Sequence, residues 1–261
     1  MDIKNKRIVI TGGASGIGKS MALAFHLEGA ESILISDINE EGAKKVAEEI
    51  EGIFIKTDVS DEDEINKLVL FAQEKMGGID VFCSNVGIGG YEDFIKLSSN
   101  DWKRMLEINF MSHVYATRKI LPMMLKNKSG YFVFTASAAG LISQIGSATY
   151  SVTKHAVVSF AEWIKITYGK YGIGVSCSCP QFVRTPMIDG LKSAPGSDNI
   201  IEPEVVASEV LESIKKNKFL VTPHPEVLDY LKYKVSDYDG WISGMQTLQD
   251  KFLPEMNSLK K

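Results

Sequence analysis

Short apolar runs and longer amphipathic stretches alternate along the chain. The runs are rich in Val, Ile and Phe and are four to seven residues long, which predicts buried β-strands. Seven strands are predicted, at 7–11, 32–37, 53–57, 79–84, 130–136, 173–179 and 219–222. Strands that alternate with helices build a parallel sheet with helices on both faces, joined by right-handed crossovers. The pattern therefore predicts an α/β protein with a doubly wound parallel sheet.

The stretches between these strands carry apolar residues at intervals of three and four positions, as amphipathic helices do. One helix is predicted to follow the first strand and end at Gly29. Another is predicted from a Ser60 cap, with Asp63 in its first turn, to about residue 76. Further helices are predicted over about 102–126, 147–171 and 203–216. Pro122 is expected to bend or end the 102–126 helix, because proline interrupts helical hydrogen bonding.

No feature of the composition divides the chain. Its 261 residues suffice for one full core, and no repeat, low-complexity block or linker interrupts the alternation. We predict one domain over 1–261, with its core at about 5–222. A mobile flap is predicted at 186–203 and a helical, aromatic tail at 223–261.

Charge and hydropathy exclude several classes of partner. Apolar residues make up 44% of the chain, charged residues 24%, and the net charge is −4. This balance favours neither a nucleic acid nor an anionic membrane as partner. No apolar run reaches the roughly 18 residues of a membrane span. The N-terminus leads straight into a strand without a signal-peptide pattern, so we expect a cytoplasmic protein.

The cysteines and histidines do not form a metal-binding pattern. Cys83, Cys177 and Cys179 include no Cys-x-x-Cys pair, and their odd, small number indicates reduced thiols. Cys177 and Cys179 are expected to pack within a strand. The four histidines stand at no ligand spacing from Cys, Asp or Glu, which predicts that there is no metal site.

A glycine-rich turn connects the first strand to the first helix. Gly12, Gly16 and Gly18 stand in the spacing G-x-x-x-G-x-G. A dinucleotide-binding turn needs a tight backbone, a bare approach for the pyrophosphate and close contact between helix and strand. The helix N-terminal amides then face the phosphates. In its strand–turn–helix context the motif predicts a dinucleotide site on a Rossmann-like fold.

Asp37 ends the second strand, 19 residues after Gly18. An acid at this point accepts hydrogen bonds from the adenosine ribose hydroxyls and repels a 2′-phosphate. No Arg or Lys stands between Gly12 and Gly18 or just after Asp37 to hold such a phosphate. NAD is therefore predicted over NADP. A capping role for Asp37 at the helix that follows from Asn39 is compatible with this assignment.

Two more polar residues follow strand ends. Asp58 either solvates its loop or lies near the adenine. Asn85 ends the fourth strand, in the crevice where doubly wound sheets bind ligands, and it can also brace the neighbouring backbone. A third polar residue, Asn109, stands inside the predicted 102–126 helix, where Asn is unfavourable. It is either an exposed or self-bonded residue, or it is there for a functional reason.

Tyr150 and Lys154 are four residues apart on the predicted 147–171 helix, so they share one face. A free tyrosine titrates near pH ~10, and each unit of downward pKa shift needs about 1.4 kcal/mol. An ammonium in a dry cleft can supply such a shift and make the phenol an acid and base near neutral pH. Ser137 follows the apolar run of the fifth strand. Alone, the Tyr–Lys spacing also arises by chance.

In this order, the motifs resemble those of the classical short-chain dehydrogenase/reductase family over about 5–222. The signs are TGGASGIG with Thr11, then Asp37, Asp58-Val59, SNVG with Asn85, Asn109, Ser137, Tyr150-x-x-x-Lys154 and P-Q-x-V-x-T from Pro180 to Thr185. The resemblance implies a catalytic set of Asn109, Ser137, Tyr150 and Lys154. It implies a cofactor set of Thr11, Gly12, Ser15, Gly16, Ile17, Gly18, Asp37, Asp58, Val59, Asn85, Gly87, Tyr150, Lys154, Pro180, Val183 and Thr185.

The resemblance also implies a role for each catalytic residue. Tyr150 would be the general acid/base on the alcohol or carbonyl oxygen. Lys154 would hold the nicotinamide ribose and lower the pKa of the tyrosine. Ser137 would hydrogen-bond the substrate oxygen, and Asn109 would anchor a water that leads protons to Lys154.

Two positions depart from the family pattern. The sequence SNVG replaces the commoner N-N-A-G, although Asn85 itself matches. Gln181 replaces the usual glycine of a P-G turn, and its side chain is expected to face the nicotinamide, whose carboxamide end Val183 and Thr185 would meet. Neither departure touches the acid/base set.

These residues favour an NAD-dependent alcohol dehydrogenase or ketone reductase. One alternative is a catalytically idle NAD(H)-binding sensor or scaffold on the same fold. Such relatives would be expected to lose the tyrosine or lysine, and both are present here. Another alternative is an epimerase or dehydratase of the extended branch, which usually has a G-x-x-G-x-x-G turn and a longer chain.

The predicted substrate walls are largely apolar, which suits a hydrophobic secondary alcohol or ketone, alicyclic or steroid-like. They comprise Ile142, Gln144, Phe182, Met187, Leu191 and tail residues such as Trp241. No basic cluster indicates a carboxylate or phosphate substrate, and Arg184 is expected to be a surface charge.

Two of the predicted helices, 102–126 and 147–171, resemble the pair that builds the family's four-helix dimer interface. The resemblance implies a homotetramer first and a dimer next. The tail is expected to cover its own active site or that of a partner subunit.

Overall fold

The computed structural model describes residues 1–90, 93–189 and 197–258, with side chains as far as residue 252. Within these ranges the strands are β1 (Arg7–Thr11), β2 (Ser32–Asp37), β3 (Ile53–Lys56), β4 (Val81–Ser84), β5 (Gly130–Thr135), β6 (Ile173–Ser178) and β7 (Leu220–Val221). They form one sheet in the order β3-β2-β1-β4-β5-β6-β7, with every neighbouring pair parallel. The predicted fold class and strand number are confirmed. Four strands, β3, β5, β6 and β7, end one residue before their predicted ends, while β4 begins two residues late and β7 one residue late, because pairing covers less than the apolar run.

Helices cover both faces of the sheet. In the described chain they are α1 (Gly16–Leu27), α2 (Glu40–Glu49), α3 (Glu62–Met76), α4 (Ser99–Leu106), α5 (Ser112–Asn127), α6 (Ala148–Tyr168), α7 (Pro203–Lys216), α8 (Glu226–Ser236) and α9 (Tyr238–Ser258). The predicted tail is thus helical. The predicted flap lies partly outside the described residues; one described end forms a short 3₁₀ turn, Pro186–Ile188.

Alternate residues of each strand enter opposite cores. In β1, Ile8 and Ile10 face a core shared with α1, α2 and α7, whereas Val9 faces the core of α3, α5 and α6. In β5, Phe132 and Phe134 enter the second core and stack with centroids 5.7 Å apart. A sheet buried on both faces needs apolar residues at both the odd and the even positions of each strand, which explains the continuous apolar runs.

The cap of α3 differs from the prediction. Asp61, and not Ser60, is the N-cap, and its carboxylate accepts from the Asp63 amide at 2.8 Å. Ser60 is already bonded to Asp58, which accepts from both its amide and its hydroxyl. The prediction was wrong because the Ser60 side chain is hydrogen-bonded to Asp58 and is therefore not available to cap the helix.

The predicted 102–126 helix is interrupted, but not at Pro122. A capping box of Ser98 and Asp101 starts α4, and a π-helical turn, Glu107–Met111, separates α4 from α5. Pro122 lies inside α5, which continues to Asn127. Pro122 is exposed, so water can satisfy the carbonyl that its missing N–H leaves free, and the helix continues.

The carboxyl ends of all seven strands lie along one edge of the sheet, because every pair is parallel. The connections reverse direction between β1 and β4, the neighbours at the centre of the strand order. In such sheets the crevice at this switch point binds ligands. The topology therefore brings the predicted motifs to one place.

Candidate active site

A cleft of about 530 Å³ lies at the carboxyl ends of β1, β2, β4, β5 and β6. Most of the predicted cofactor residues line it, namely Gly12, Ser15, Gly16, Ile17, Asp37, Asp58, Val59, Asn85, Gly87, Tyr150, Lys154, Pro180, Val183 and Thr185. Thr11 and Gly18 do not line the cleft. The Thr11 hydroxyl oxygen instead accepts from the Asn85 amide, and Gly18 lies close to the Gly12 carbonyl.

The glycine-rich turn has the backbone that its glycines allow. Gly12 and Gly16 have φ angles of +66° and +52°, in the left-handed region. A Cβ on Gly18 would lie 2.1 Å from the Gly12 carbonyl oxygen, and one on Gly16 would lie 2.8 Å from Thr185. Side chains at these positions would fill or distort the cradle, so the turn fits a pyrophosphate held against the start of α1.

The Asp37 carboxylate ties β2 to the glycine-rich turn. One oxygen accepts from the Ala14 amide at 3.1 Å and the other from the Asn39 amide at 2.9 Å. Asn39, not Asp37, caps α2, through the Gly42 amide. Asp37 also lines the cleft, and each carboxylate oxygen can accept a further hydrogen bond, as ribose hydroxyls require. Asp58 lines the same end of the cleft while also bonding Ser60 in its loop.

Asn85 braces three strand ends at once. Its amide nitrogen donates to the Gly12 carbonyl at 3.3 Å, and its side-chain oxygen accepts from the Thr135 hydroxyl at 2.9 Å. Its backbone amide donates to the Thr11 hydroxyl oxygen at 3.0 Å. The bracing function considered for this residue is therefore present, and it positions the turn of β1 against β4 and β5.

Lys154 is buried, at 2% exposure, where the cleft passes between β5 and α6. Its ammonium donates to the Thr135 carbonyl at 3.0 Å and lies 5.6 Å from the centroid of the Tyr150 ring. The Ser137 hydroxyl hydrogen-bonds to the Tyr150 phenol. The structure thus brings Ser137, Tyr150 and Lys154 together from β5 and one helix face.

Burial dominates the protonation of this group. It lowers the pKa of Lys154 to about 8. It also raises the pKa of Tyr150, against the opposing hydrogen bond from Ser137. The phenolate would lose its water on burial, which accounts for the raised pKa, and the Lys154 ammonium donates to the Thr135 carbonyl. The lowering of the Tyr150 pKa by Lys154 stays a prediction.

Asn109 is fully buried in the π-helical turn before α5. Its side-chain oxygen accepts from the Ile88 amide, its nitrogen donates to the Ile88 carbonyl, both at 2.8 Å, and the nitrogen also reaches the Thr153 hydroxyl at 3.2 Å. A Cβ on Gly87 would lie 3.0 Å from the Lys154 ammonium and 3.6 Å from the Asn109 oxygen. Asn109 therefore joins the loop after β4 to the helix of Lys154.

A second cavity, of about 680 Å³, adjoins the cleft. Ser137, Tyr150 and Gln181 line both spaces. The predicted substrate residues Ile142, Gln144, Phe182, Met187 and Trp241 line the cavity. The remaining one, Leu191, lies outside the described residues.

Several residues of both spaces were missed from the sequence. The cavity is also lined by Tyr230 of α8 and by Met245, Leu248 and Phe252 of α9. Helical spacing from Trp241 was the signal that could have found the residues of α9. The cleft is also lined by Arg104 and Ile108, which stand four residues apart before Asn109. Here no local signal distinguished a cleft residue from a surface one.

Gln181 faces both spaces, as expected from its place in the loop after β6. Its side-chain oxygen is buried and has no hydrogen-bond partner among the described residues. Its backbone amide donates to Nδ1 of His224, a fully buried histidine that the sequence did not single out. The other nitrogen of His224 lies 3.1 Å from the Asn199 carbonyl, so the ring links this loop to the segment before α7.

Other sequence expectations concern residues outside the site. Arg184 forms an exposed ion pair with Glu202 at 2.7 Å, as a surface charge does. Cys83, Cys177 and Cys179 are free and buried. No group of three or more His, Cys, Asp or Glu residues suited to a metal ion occurs in the described part of the chain. Across the described helices, none combines the length and hydropathy of a membrane span.

Fold, glycine-rich turn and cleft together are those of a nucleotide-binding protein, and the sequence relatives make it an oxidoreductase. The chain belongs to the short chain dehydrogenase family, whose sequence model matches residues 6–195. Oxidoreductase UcpA of Salmonella typhimurium is 31% identical, over 98% of both chains. A mitochondrial borneol dehydrogenase of Lavandula x intermedia is 29% identical, over 98% of this chain and 93% of the relative. A crystal structure of a Burkholderia phymatum short chain dehydrogenase/reductase in complex with NAD superimposes with a TM-score of 0.84 at 26% identity, covering 92% and 96% of the chains.

Proposed function

We propose that the protein is an NAD-dependent oxidoreductase that interconverts a hydrophobic, alicyclic secondary alcohol and its ketone. One observation carries the proposal: the dinucleotide cleft and the largely apolar cavity meet at Tyr150, with Ser137 beside its phenol and Lys154 behind its ring. A substrate oxygen in the cavity then faces a proton donor and the cofactor at once.

Four residues are proposed to carry the reaction. Tyr150 takes the hydroxyl proton of the alcohol, or returns it to the ketone oxygen, as general base or acid. Ser137 donates a hydrogen bond to the substrate oxygen. Lys154 holds the nicotinamide ribose, and Asn109 anchors a water that passes protons to it. The bound nicotinamide supplies the hydride acceptor or donor.

The choice of NAD over NADP rests on the adenosine end of the cleft. Asp37 presents its carboxylate there and Asp58 adds a second one, so a 2′-phosphate would meet two negative charges. The NAD complex of the Burkholderia phymatum relative supports the same choice.

The substrate class rests on the cavity walls. They are built mainly from apolar side chains, including Ile142, Phe182 and Trp241. A cavity of this kind favours a ligand with a large apolar body and one polar group at the catalytic end. The borneol dehydrogenase relative, by its name, acts on an alcohol of this class.

A panel of secondary alcohols with NAD and with NADP tests the proposal. We expect NADH formation with bicyclic alcohols such as borneol, and slower turnover with NADP. Tight NAD binding, measured by calorimetry, without turnover of any alcohol or ketone would instead favour the idle sensor.

We further propose a homotetramer, or failing that a dimer, built on α5 and α6. The outer face of α6 exposes Val152 (50%), Trp163 (53%) and Ile166 (80%), a stripe that a partner subunit would cover. Light scattering after size exclusion measures the assembly, and a monomer would contradict it. The cytoplasmic location stays a prediction.

A further inference from the structure

The apolar stripe of α9 faces the second cavity. Trp241, Met245, Leu248 and Phe252 follow one another at intervals of four, three and four residues, and all four line the cavity. All the remaining residues of α9 between Trp241 and Phe252 are exposed. The helix therefore has one apolar face, and that face is turned to the place where a substrate would lie.

The start of α9 is held firmly, unlike the rest of the helix. The Asp237 carboxylate accepts from the Gly240 amide at 2.9 Å, and the Tyr233 and Trp241 rings meet edge to face at 5.9 Å. Among the described elements, the closest packing of α9 is on α8. Beyond Trp241, the three other residues of the stripe line the cavity.

A buried lysine joins α8, the helix before α9, to another part of the cavity wall. Lys234 of α8 is 9% exposed, and its ammonium donates to the Leu141 carbonyl at 3.0 Å. Leu141 directly precedes Ile142, which lines the same cavity as α9. The hydrogen bond therefore ties α8, the helix before α9, to the loop that carries Ile142.

The size of the stripe indicates the size of the ligand. From Trp241 to Phe252 the helix advances about 16 Å, along a cavity of about 680 Å³. A single six-membered ring is much shorter than this stripe and would leave part of it without contacts, and an apolar wall without partner atoms forfeits its dispersion energy. A body of two or more rings would contact more of the stripe.

We propose that α9 is the specificity wall of the active site and selects apolar secondary alcohols and ketones of at least two rings, with Leu248 and Met245 as the residues that set the size limit. This inference rests on the proposed function, because it takes Tyr150 as the end of the cavity where the polar group lies.

Two tryptophan variants of neighbouring residues test the wall. Leu248→Trp fills the cavity, whereas Gln249→Trp places the same side chain on the exposed face of α9 and serves as control. The probes are cyclohexanol and decahydro-2-naphthol, oxidised with NAD. We expect Leu248→Trp to lower kcat/KM for the two-ring alcohol by about tenfold or more, with cyclohexanol changed less than about twofold and Gln249→Trp like the wild type.

Calorimetric binding of 2-decalone to the protein with NADH separates this inference from the proposed function. Binding by the wild type that Leu248→Trp weakens and Gln249→Trp retains supports the wall even if no alcohol is turned over. Equal effects of the two variants, equal losses for both alcohols, or no binding of 2-decalone by the wild type would overturn it. Leu248→Ala is a second variant in case Leu248→Trp does not fold. It enlarges the cavity and should weaken the binding of the two-ring ligand only.

Discussion

The two halves of the site are built by different means. In the cofactor cleft, polar groups that follow strand ends hold one another by directional hydrogen bonds, such as those from Asn85 to Gly12 and from Ala14 to Asp37. In the substrate cavity, apolar side chains such as Ile142 and those of α9 line one space, and the hydrogen bond from Lys234 to the Leu141 carbonyl ties α8 to the loop that carries Ile142. Directional bonds make the cleft sensitive to single atoms, whereas apolar walls respond to size.

The largest expected effect lies where the two halves meet. Tyr150→Phe removes one oxygen and keeps the ring over Lys154. We expect kcat to fall by about 10²–10⁴-fold, as for loss of a general acid/base, while NAD binds nearly as before. Steady-state kinetics and NAD calorimetry measure this, with Tyr171→Phe, an exposed tyrosine just after α6, as control. Turnover near that of the wild type would refute the assigned role.

The second effect concerns the buried charge of the cleft. The pKa of Lys154 falls from its ordinary 10.5 to about 8, so below pH 8 the folded protein keeps a buried ammonium that the unfolded chain would hydrate. Lys154→Met should raise the free energy of unfolding at pH 7 by up to about 3 kcal/mol. The gain should shrink as pH rises from 8 towards 10.5, since the folded wild type then loses the proton while the unfolded chain retains it.

Urea unfolding at pH 7 and pH 9 tests this stability difference. Lys170→Met, at an exposed lysine, is the matched control and should change neither value. A Lys154→Met protein that is less stable than the wild type at pH 7, or a gain that does not narrow at pH 9, would contradict the prediction.

A third, smaller effect concerns acid stability on the cofactor side. His113 is buried in α5 with Nδ1 2.6 Å from the Ser84 hydroxyl, and burial lowers its pKa from 6.5 to about 3. The unfolded chain takes up this proton first, so stability falls as pH drops below 6.5. At pH 5 the loss should be about 2 kcal/mol relative to pH 7. The His113→Asn variant, which cannot titrate at this position, should lose less free energy of unfolding between pH 7 and pH 5.

Urea midpoints at pH 7 and pH 5 measure the difference between the wild type and His113→Asn. His26→Asn replaces an exposed histidine and should keep the pH dependence of the wild type. Identical pH dependence in the wild type and His113→Asn would show that His113 does not stay neutral by burial.

The smallest expected effect is on cofactor choice. Asp37→Asn keeps the size and one acceptor oxygen but removes the charge, so NAD should bind about tenfold more weakly and NADP relatively better. Asp37→Ala should weaken NAD further, because it releases both the Ala14 and Asn39 amides, whereas Asn can still accept from one of them. Dissociation constants for both cofactors decide the matter. If the ratio of the NAD and NADP dissociation constants is unchanged in Asp37→Asn, the assignment of Asp37 to the adenosine ribose is wrong.

Sequence patterns located the cofactor half better than the substrate half. The cofactor set was found almost completely because each member stands in a short motif at a strand end. Asn109 was singled out by its poor fit to a helix, yet its partner Ile88 lies 21 residues away and was invisible. The cap at Asp61 depends on the hydrogen bond that Ser60 makes to Asp58, which helix propensity does not predict, and no local pattern indicated the π-helical turn that holds Asn109.

By itself the sequence determined the parallel sheet, the glycine-rich turn, Asp37 and the shared face of Tyr150 and Lys154, because these follow from periodicity and spacing along one stretch of chain. Only the tertiary structure decided where the Lys154 ammonium points and that α9 faces the cavity of its own chain. Burial shifts the pKa values of Tyr150 and Lys154, and this burial arises where segments distant in the sequence pack together. The width of the substrate cavity arises in the same way, and no local sequence pattern encodes such long-range packing.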